Sequence, residues 1–485
     1  MSPLNCIPLC YVLKDLLDGR PAFQKHLCFT LIGLGLSYLN YGIDCGHYII
    51  SLLVNFALLR LVGGTQLSVA LSFLFNMGYL LAAYYYVSTD GYDIIWTTPH
   101  CIITLRMMGI AFDLFDGQTP KEKLSKDQQA TCISKAPSLL ELFSATFFLG
   151  GHFAGPQFSF KMYLDFIHEQ GVYKAIRGKD CPDRLTPTLK AAISGIVIVL
   201  FFAACNPFLN PDIIASSEFE HLPILEKVAK LSIFGVLFYF KYIGFWLITE
   251  SICMAAGLGY NGTDENGEHK WDALVGVHVY DLLTTYKYRV IIRSFNLTTN
   301  LWTARYIYKR CRFLGNRFLS QGISLFFLAV WHGFYPGYFF CFMLEMIYVI
   351  AEDQVINLCD KVPVLKALTS SPAAQVPLYI FLKAFNMFFW CYAILSFNYL
   401  RVSKVHYVWS QYYYVGHVVY GTWFLVYFTL IVPRLKKMAK TEEKDKLKRA
   451  IEHNRERTSF SMNTVAEFLT LSQSICSLPK NTWLS

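Results

Sequence analysis

Apolar residues in this chain fall into long runs rather than into alternation, and the charges between the runs mark where elements start and stop. Residues 27–43 and 45–59 are two such runs, parted by Asp44 and closed by Arg60; a third, 61–89, carries Tyr84-Tyr85-Tyr86 near one end. Further runs cover 142–160, 191–210, 231–258 with Lys241 and Glu250 inside, 318–344, 367–400 interrupted by Lys383, and 405–433. A helix rises 1.5 Å per residue, so about 20 apolar residues cross a hydrocarbon core of about 30 Å. The pattern therefore predicts an all-α polytopic membrane protein whose first three helices pack in chain order. Residues 99–111, with Arg106 inside and Asp113 and Asp116 following, are too short and too polar to be predicted as a span. Residues 117–135 and 161–187 are hydrophilic and predict exposed connections. In 142–160, Gly150-Gly151 and Gly155-Pro156 either let helices approach closely or break a helix where backbone lines a cavity.

No Lys, Arg, Asp or Glu stands between Arg317 and Glu345, so 318–344 predicts one bilayer-length helix with His332 near its middle. An ionisable side chain at that depth either lines a cavity as a functional group or is a core residue hydrogen-bonded to a neighbouring helix. Lys241 and Glu250 stand about 13 Å apart along a helix and cannot pair with each other. Each finds a partner elsewhere, faces a polar chamber, or snorkels to an interface.

Composition supports the pattern. Of 485 residues 54% are apolar and only 16% charged, against roughly 25% in soluble domains, and the mean hydropathy is +0.36. This excludes a soluble protein carrying a single anchor. The 14 cysteines stand mostly singly in apolar runs, with no C-x-x-C pair, so neither a disulfide framework nor a zinc site is expected. Asp15, Asp18 and Arg20 interrupt the first apolar stretch, which argues against a cleavable signal peptide.

The net charge of +9 is concentrated in a few segments, with no nucleic-acid-binding signature. Residues 289–317 hold seven cations and no acid, and between Arg434 and Arg457 ten cations stand against five acids. Both segments predict a cytosolic side. A domain of 1–433 followed by a basic cytosolic tail, 434–485, is expected. Alternation through three spans would put the tail opposite the basic segment, so one apolar run predicts a hairpin or re-entrant element. Arg305, Lys309 and Arg312 fall at i, i+4 and i+7, flanked by Trp302, Tyr306 and Phe313. Such a stripe either reports orientation alone or meets the phosphates of an anionic substrate.

His332 and Asn296 together carry the groups that acyl transfer needs. A hydroxyl attacking a thioester requires a base for its proton and a neutral donor for the developing oxyanion. Burial favours the neutral imidazole, which accepts that proton, and a carboxamide donates without bringing charge into the membrane. On the residues alone, Asn296 reads as a helix-capping or turn residue rather than a catalytic one. Asn296-Leu297-Thr298 and Asn261-Gly262-Thr263 also fit the glycosylation triplet, the first within a segment expected in the cytosol.

An ordered series of motifs now bears on identity: Pro137-Ser138-Leu139-Leu140-Glu141, Gly155-Pro156-Gln157-Phe158-Ser159, Gly257-Leu258-Gly259-Tyr260-Asn261-Gly262, Lys270-Trp271-Asp272, Ser294-Phe295-Asn296 with Thr299-Asn300, Trp302, Arg305-Tyr306-Ile307 and Lys309-Arg310, and Trp331-His332-Gly333. The series resembles the membrane-bound O-acyltransferase superfamily. More narrowly it is similar to the lysophospholipid acyltransferases of the lysophosphatidylcholine type, over about 27–433. The resemblance implies ten or eleven transmembrane helices around a central catalytic chamber in the endoplasmic reticulum membrane. The implied reaction re-acylates the free hydroxyl of lysophosphatidylcholine, and also of lysophosphatidylethanolamine and lysophosphatidylserine, preferably with a polyunsaturated chain from acyl-CoA. His332 and Asn296 map onto the family's catalytic pair; Arg305, Lys309, Trp302 and Tyr306 are candidates for acyl-CoA binding. Acyl-CoA is then a substrate, and no cofactor or metal is expected. Expected partners are lysophospholipid, membrane lipid and, as an oligomeric option, a homodimer. Vertebrate members of this type end in a dilysine signal, whereas this sequence ends Lys480-Asn481-Thr482-Trp483-Leu484-Ser485. Two competing readings remain: transfer to a sterol, diacylglycerol or protein acceptor, and a transporter in which His332, Lys241 and Glu250 relay protons.

Overall fold

A computed structural model describes residues 3–87, 95–153, 155–178 and 181–476. Among these there is no strand, only an isolated bridge between Thr263 and His269 in the polar loop. The principal helices are α1 (Ala22–Tyr41), α2 (Gly46–Leu61), α3 (Gln66–Tyr86), α4 (Thr97–Asp116), α5 (Leu185–Cys205), α6 (Ile224–Ala256), α7 (Leu297–Thr303), α8 (Arg317–His332), α9 (Pro336–Lys361), α10 (Pro372–Tyr399) and α11 (Val415–Val426). Six described segments are long and apolar enough to cross a membrane: Ala22–Leu61, which holds α1 and α2, then α3, α5, α6, α10 and Val415–Asn454. The protein is a multi-pass membrane protein. On α5 the exposed Leu185, Leu189, Ile193, Val197 and Leu200 recur every three or four residues, one helical face left for lipid.

The predicted break at Asp44 is present as a short 3-10 turn, Gly42–Cys45. The first helices do not pack simply in chain order, because α1 lies against the helix Leu139–Thr146. Gly33 permits this approach: a Cβ there would stand 1.9 Å from the Phe147 carbonyl oxygen. Between α2 and α3, Asn55 and Asn76 exchange amide hydrogen bonds of 2.8 and 2.9 Å, with Ser72 donating to Asn55 at 3.2 Å. Residues 88–89 of the third predicted run lie outside the described residues. The run at 142–160 breaks as its glycines allowed, into Leu139–Thr146, Leu149–His152 and a non-helical stretch containing Gly155. A Cβ on Gly155 would stand 1.8 Å from the Gly150 carbonyl oxygen.

Three findings go beyond the linear reading. The polar stretch at 99–111, which is not among the six spanning segments, belongs to α4, 20 residues long and among the most buried elements. Its charges are satisfied by protein: Arg106 donates to the carbonyls of Ala145 (2.8 Å) and Gly151 (3.0 Å), and Asp113 accepts from Thr131 (2.8 Å) and Tyr306 (2.7 Å). Asp116 binds Gln128 and Arg310. A helix enclosed by other helices needs no lipid-compatible surface, so hydropathy does not reveal it.

Second, 318–344 is not one helix. It is α8 and α9, parted at Gly333, whose φ of +134° suits glycine, and restarted by Pro336 at the first helical position. His332 is therefore the last residue of a 16-residue helix rather than the middle of a longer one. The run at 405–433 also breaks, at Tyr413 and Tyr414, both with φ of +52°. The piece before that break, Val402–Ser410, is only 9 residues long, so the break at Gly333 alone leaves a long helix on each side.

Third, Arg305, Lys309 and Arg312 do not form one α-helical stripe. The chain passes from α7 into a π-helical turn, Ala304–Tyr308, and then a 3-10 turn, Arg312–Leu314, so the 3.6-residue period is lost. The tail continues from α11 through a second π turn into the helix Val432–Cys476. The C-terminal Lys480 to Ser485 lie outside the described residues.

Candidate active site

His332 is held by what surrounds its helix end. The Gly333 N–H donates back to Ala329 (3.2 Å) and Val330 (3.1 Å), and the Trp331 indole N–H donates to the Cys101 carbonyl of α4 at 3.0 Å. The imidazole packs among rings of the next two helices, with centroids 5.4 Å from Tyr338, 5.7 Å from Phe342 and 5.0 Å from Phe397. Its nitrogens make no hydrogen bond to a described residue. The alternative of a core histidine bonded to a neighbouring helix is therefore not what the structure contains.

Asn296 sits between the helix Tyr288–Ser294 and α7, in the left-handed region at φ 50° and ψ 49°, which asparagine tolerates better than most residues. It occupies the N-cap position, yet its side chain caps nothing. The turn is fixed from outside. On one side of Asn296, Ser294 accepts from the His278 N–H at 2.9 Å; on the other, Leu297 donates to the Gly276 carbonyl at 3.0 Å. The Asn300 amide donates to the carbonyls of Ile292 (2.9 Å) and Phe295 (2.7 Å), and the Phe295 ring packs against Tyr239 (4.6 Å) and Trp246 (4.8 Å). The local sequence thus holds the backbone and leaves the Asn296 carboxamide free of described hydrogen-bond partners.

Three cavities meet at His332. One of about 790 Å³ is lined by Tyr84, Thr97, Trp331, Gly333, Pro336 and Arg401. A second, of about 300 Å³, contains both His332 and Asn296, with Lys241, Trp246 and Thr298. A third, of about 180 Å³, again contains both, among Phe238, Tyr242, Phe295, Trp390 and Phe397, and holds Glu345. A fourth cavity, about 210 Å³, shares Thr298 and Leu274 with the second. It is lined by Arg305, Trp302 and Tyr306 together with Arg106 and Asp113. Thr298 is itself fixed by the Gln157 backbone N–H at 3.1 Å, which places the Gly155-Pro156-Gln157 segment at this junction.

The predicted residues divide accordingly. His332 and Asn296 are brought together; Arg305, Trp302 and Tyr306 line the adjoining cavity; Lys309 instead pairs with Asp127 and lines none of these cavities. Lys241 faces the chamber, whereas Glu250 is buried and accepts from the Gly276 N–H at 3.4 Å, so the proposed relay with His332 does not assemble. Glu250 instead steadies the segment that carries the Asn296 turn.

A family model described as the membrane-bound O-acyltransferase family matches residues 81–402, which include every element named above at the chamber. The chain belongs to the membrane-bound O-acyltransferase family. Among its relatives, lysophospholipid acyltransferase 5 of Mus musculus is 37% identical over 442 residues, covering 91% of this chain and 89% of that protein. The protein of the same name in Drosophila melanogaster is 34% identical, covering 83% and 81%. Membrane-bound glycerophospholipid O-acyltransferase 2 of Rattus norvegicus is 27% identical, covering 69% and 66%.

For an O-acyltransferase, the site adds one ionisable group that sequence reasoning placed elsewhere. Glu345, which ends the uncharged run after Arg317, lies inside α9, lines the third cavity with His332 and Asn296, and makes no hydrogen bond to a described residue. Its position as the first charge after an uncharged run reads as a boundary only while that run is taken for one helix.

Proposed function

We propose that this O-acyltransferase is an acyl-CoA:lysophospholipid acyltransferase that esterifies the free glycerol hydroxyl of lysophosphatidylcholine, and of lysophosphatidylethanolamine and lysophosphatidylserine, with a preferably polyunsaturated chain. The observation that carries the reading is that His332 and Asn296, neither engaged by a described hydrogen bond, line the same two cavities. The names of the relatives support the acceptor class.

In this reading the His332 imidazole takes the hydroxyl proton as the glycerol oxygen attacks the thioester carbonyl carbon. The Asn296 amide donates to the carbonyl oxygen as it gains charge. Collapse breaks the C–S bond, and coenzyme A leaves as a thiolate that receives the proton from the imidazolium. Contributions of roughly 10²–10⁴-fold from the base and about 10²–10³-fold from the donor are the scale of such groups. The step balances with acyl-CoA as substrate and no separate cofactor. Arg305, with Trp302 and Tyr306 beside it, meets the phosphates and adenine of coenzyme A in the adjoining cavity. The apolar third cavity takes an acyl chain. The protein acts in the endoplasmic reticulum membrane, its basic tail in the cytosol, as a monomer or homodimer.

The test offers the purified enzyme a mixture of lysophospholipids and acyl-CoAs and identifies products by mass spectrometry. Diacyl phospholipids formed with release of coenzyme A support the proposal. Esters of sterol or diacylglycerol alone, or no lysophospholipid-dependent release of coenzyme A, overturn it.

A further inference from the structure

Away from the chamber, three side chains from distant parts of the sequence converge. His26 lies on the second turn of α1, Glu141 in the first turn of the helix Leu139–Thr146, and His168 directly after the helix Phe160–Ile167. One ligand atom of each lies within 4.8 Å of the other two. None of the three lines a chamber cavity.

The imidazole of His26 is 4% exposed, and neither of its nitrogens has a hydrogen-bond partner among the described residues. A buried imidazole without a partner is unfavourable, and a bound ion or water at this position would relieve that cost. Glu141 is held in place through one carboxylate oxygen, which accepts from the Ser138 backbone N–H (2.7 Å) and hydroxyl (2.8 Å); the other oxygen makes no described hydrogen bond. His168 is exposed, its ring tilted edge-on to His26 at 6.4 Å, which gives the cluster a route to water. The neighbouring cation, Lys25, is already engaged by Glu169 and by the Ile167 carbonyl at 3.1 Å.

We propose that His26, Glu141 and His168 bind a divalent transition-metal cation, zinc being the best match. Two neutral imidazoles and one carboxylate offer two nitrogen donors, one oxygen donor and a single negative charge, a set that suits zinc with solvent in the fourth position. The geometry is close to what binding needs. A cation central to three atoms within 4.8 Å of one another stands no more than about 2.8 Å from each, against about 2.0–2.2 Å in zinc sites, so side-chain rotations of under about 1 Å close the shell. The ion clips α1 to the helices Leu139–Thr146 and Phe160–Ile167, outside the reaction chamber. His26 stands more than a hundred residues before Glu141 and His168, so no zinc spacing is visible in the sequence.

The test uses the full-length enzyme in detergent, stripped with chelator and titrated with zinc alone. Bound metal is measured by elemental mass spectrometry and stability by thermal melting. The wild type should hold about one zinc per chain and melt at a higher temperature with it. Glu141→Gln keeps the helix-capping side chain, and His168→Ala alters an exposed position, so both should fold. Each should lower zinc affinity at least tenfold, abolish the zinc-dependent rise in melting temperature, and leave acyl transfer in place. Cobalt substitution in the wild type should give the intense visible bands of a four-coordinate site. No zinc uptake by the wild type, or equal uptake by the two variants, overturns the proposal.

Discussion

Replacing Asn300 by Leu isolates what the Asn296 turn contributes, because Asn300 itself lies next to the reacting groups without being assigned a chemical role. Its amide makes two hydrogen bonds, 2.9 Å to Ile292 and 2.7 Å to Phe295, and leucine fills similar volume while making neither. At about 0.5–1.5 kcal/mol net for each, the pair is worth about 1–3 kcal/mol to the turn. Since 1.4 kcal/mol is tenfold in an equilibrium, the equilibrium constant favouring the left-handed conformation of Asn296 should fall by roughly 5- to 150-fold. If the Asn296 amide acts in the transition state, kcat falls by up to that factor, while the KM for acyl-CoA changes little. Steady-state kinetics with lysophosphatidylcholine and arachidonoyl-CoA, alongside melting in detergent, separates the effects. A variant that stays folded with unchanged kcat, or one altered only in KM, refutes the reasoning that the turn exists to present Asn296.

Arg305→Met should raise the KM for acyl-CoA about tenfold or more, whereas Lys309→Met, which breaks a surface pair with Asp127 worth about 0–1 kcal/mol, should change it less than threefold; the reverse order would contradict the assignment of the fourth cavity. Glu345→Leu removes a carboxyl with no described hydrogen bond from an apolar cavity and should raise the melting temperature, by a gain of about 1–3 kcal/mol; a lowered one shows that the carboxyl has a favourable partner. Gly337→Ala puts a Cβ 2.0 Å from the Ser396 carbonyl oxygen, where α9 starts against α10, and should cost about 1–3 kcal/mol in stability and lower turnover by displacing Tyr338 from His332; a neutral result in both assays counts against that packing.

Much of this architecture was legible in the runs of apolar residues. The helices α3, α5, α6 and α10 follow the runs closely, and the break at Asp44 follows its charge. Two kinds of element escaped. Hydropathy assumes that a helix meets lipid, and α4 does not, so Arg106, Asp113 and Asp116 masked a helix whose charges are satisfied inside the protein. The second kind depends on a single backbone position. Gly333 has no charge to mark it, yet its conformation ends α8, brings His332 to a helix terminus and admits Glu345 to the chamber. The pairing of His332 with Asn296 was legible from their chemistry and from motif resemblance, not from periodicity, because the cavities they share are formed by tertiary packing. The cation stripe failed for a related reason: a wheel drawn at 3.6 residues per turn does not survive a π turn at Ala304–Tyr308.

In the proposed reaction the imidazole of His332 and the carboxamide of Asn296 act together from one chamber. The most direct measurement is the turnover of purified His332→Ala, Asn296→Ala and the double variant, with folding checked by melting and product read by mass spectrometry. The account predicts a loss of at least about 10²-fold in kcat for each single variant, and a double variant within a few-fold of His332→Ala, because groups acting as a unit are not additive. Near-normal turnover by His332→Ala, or losses that simply multiply in the double variant, would contradict it.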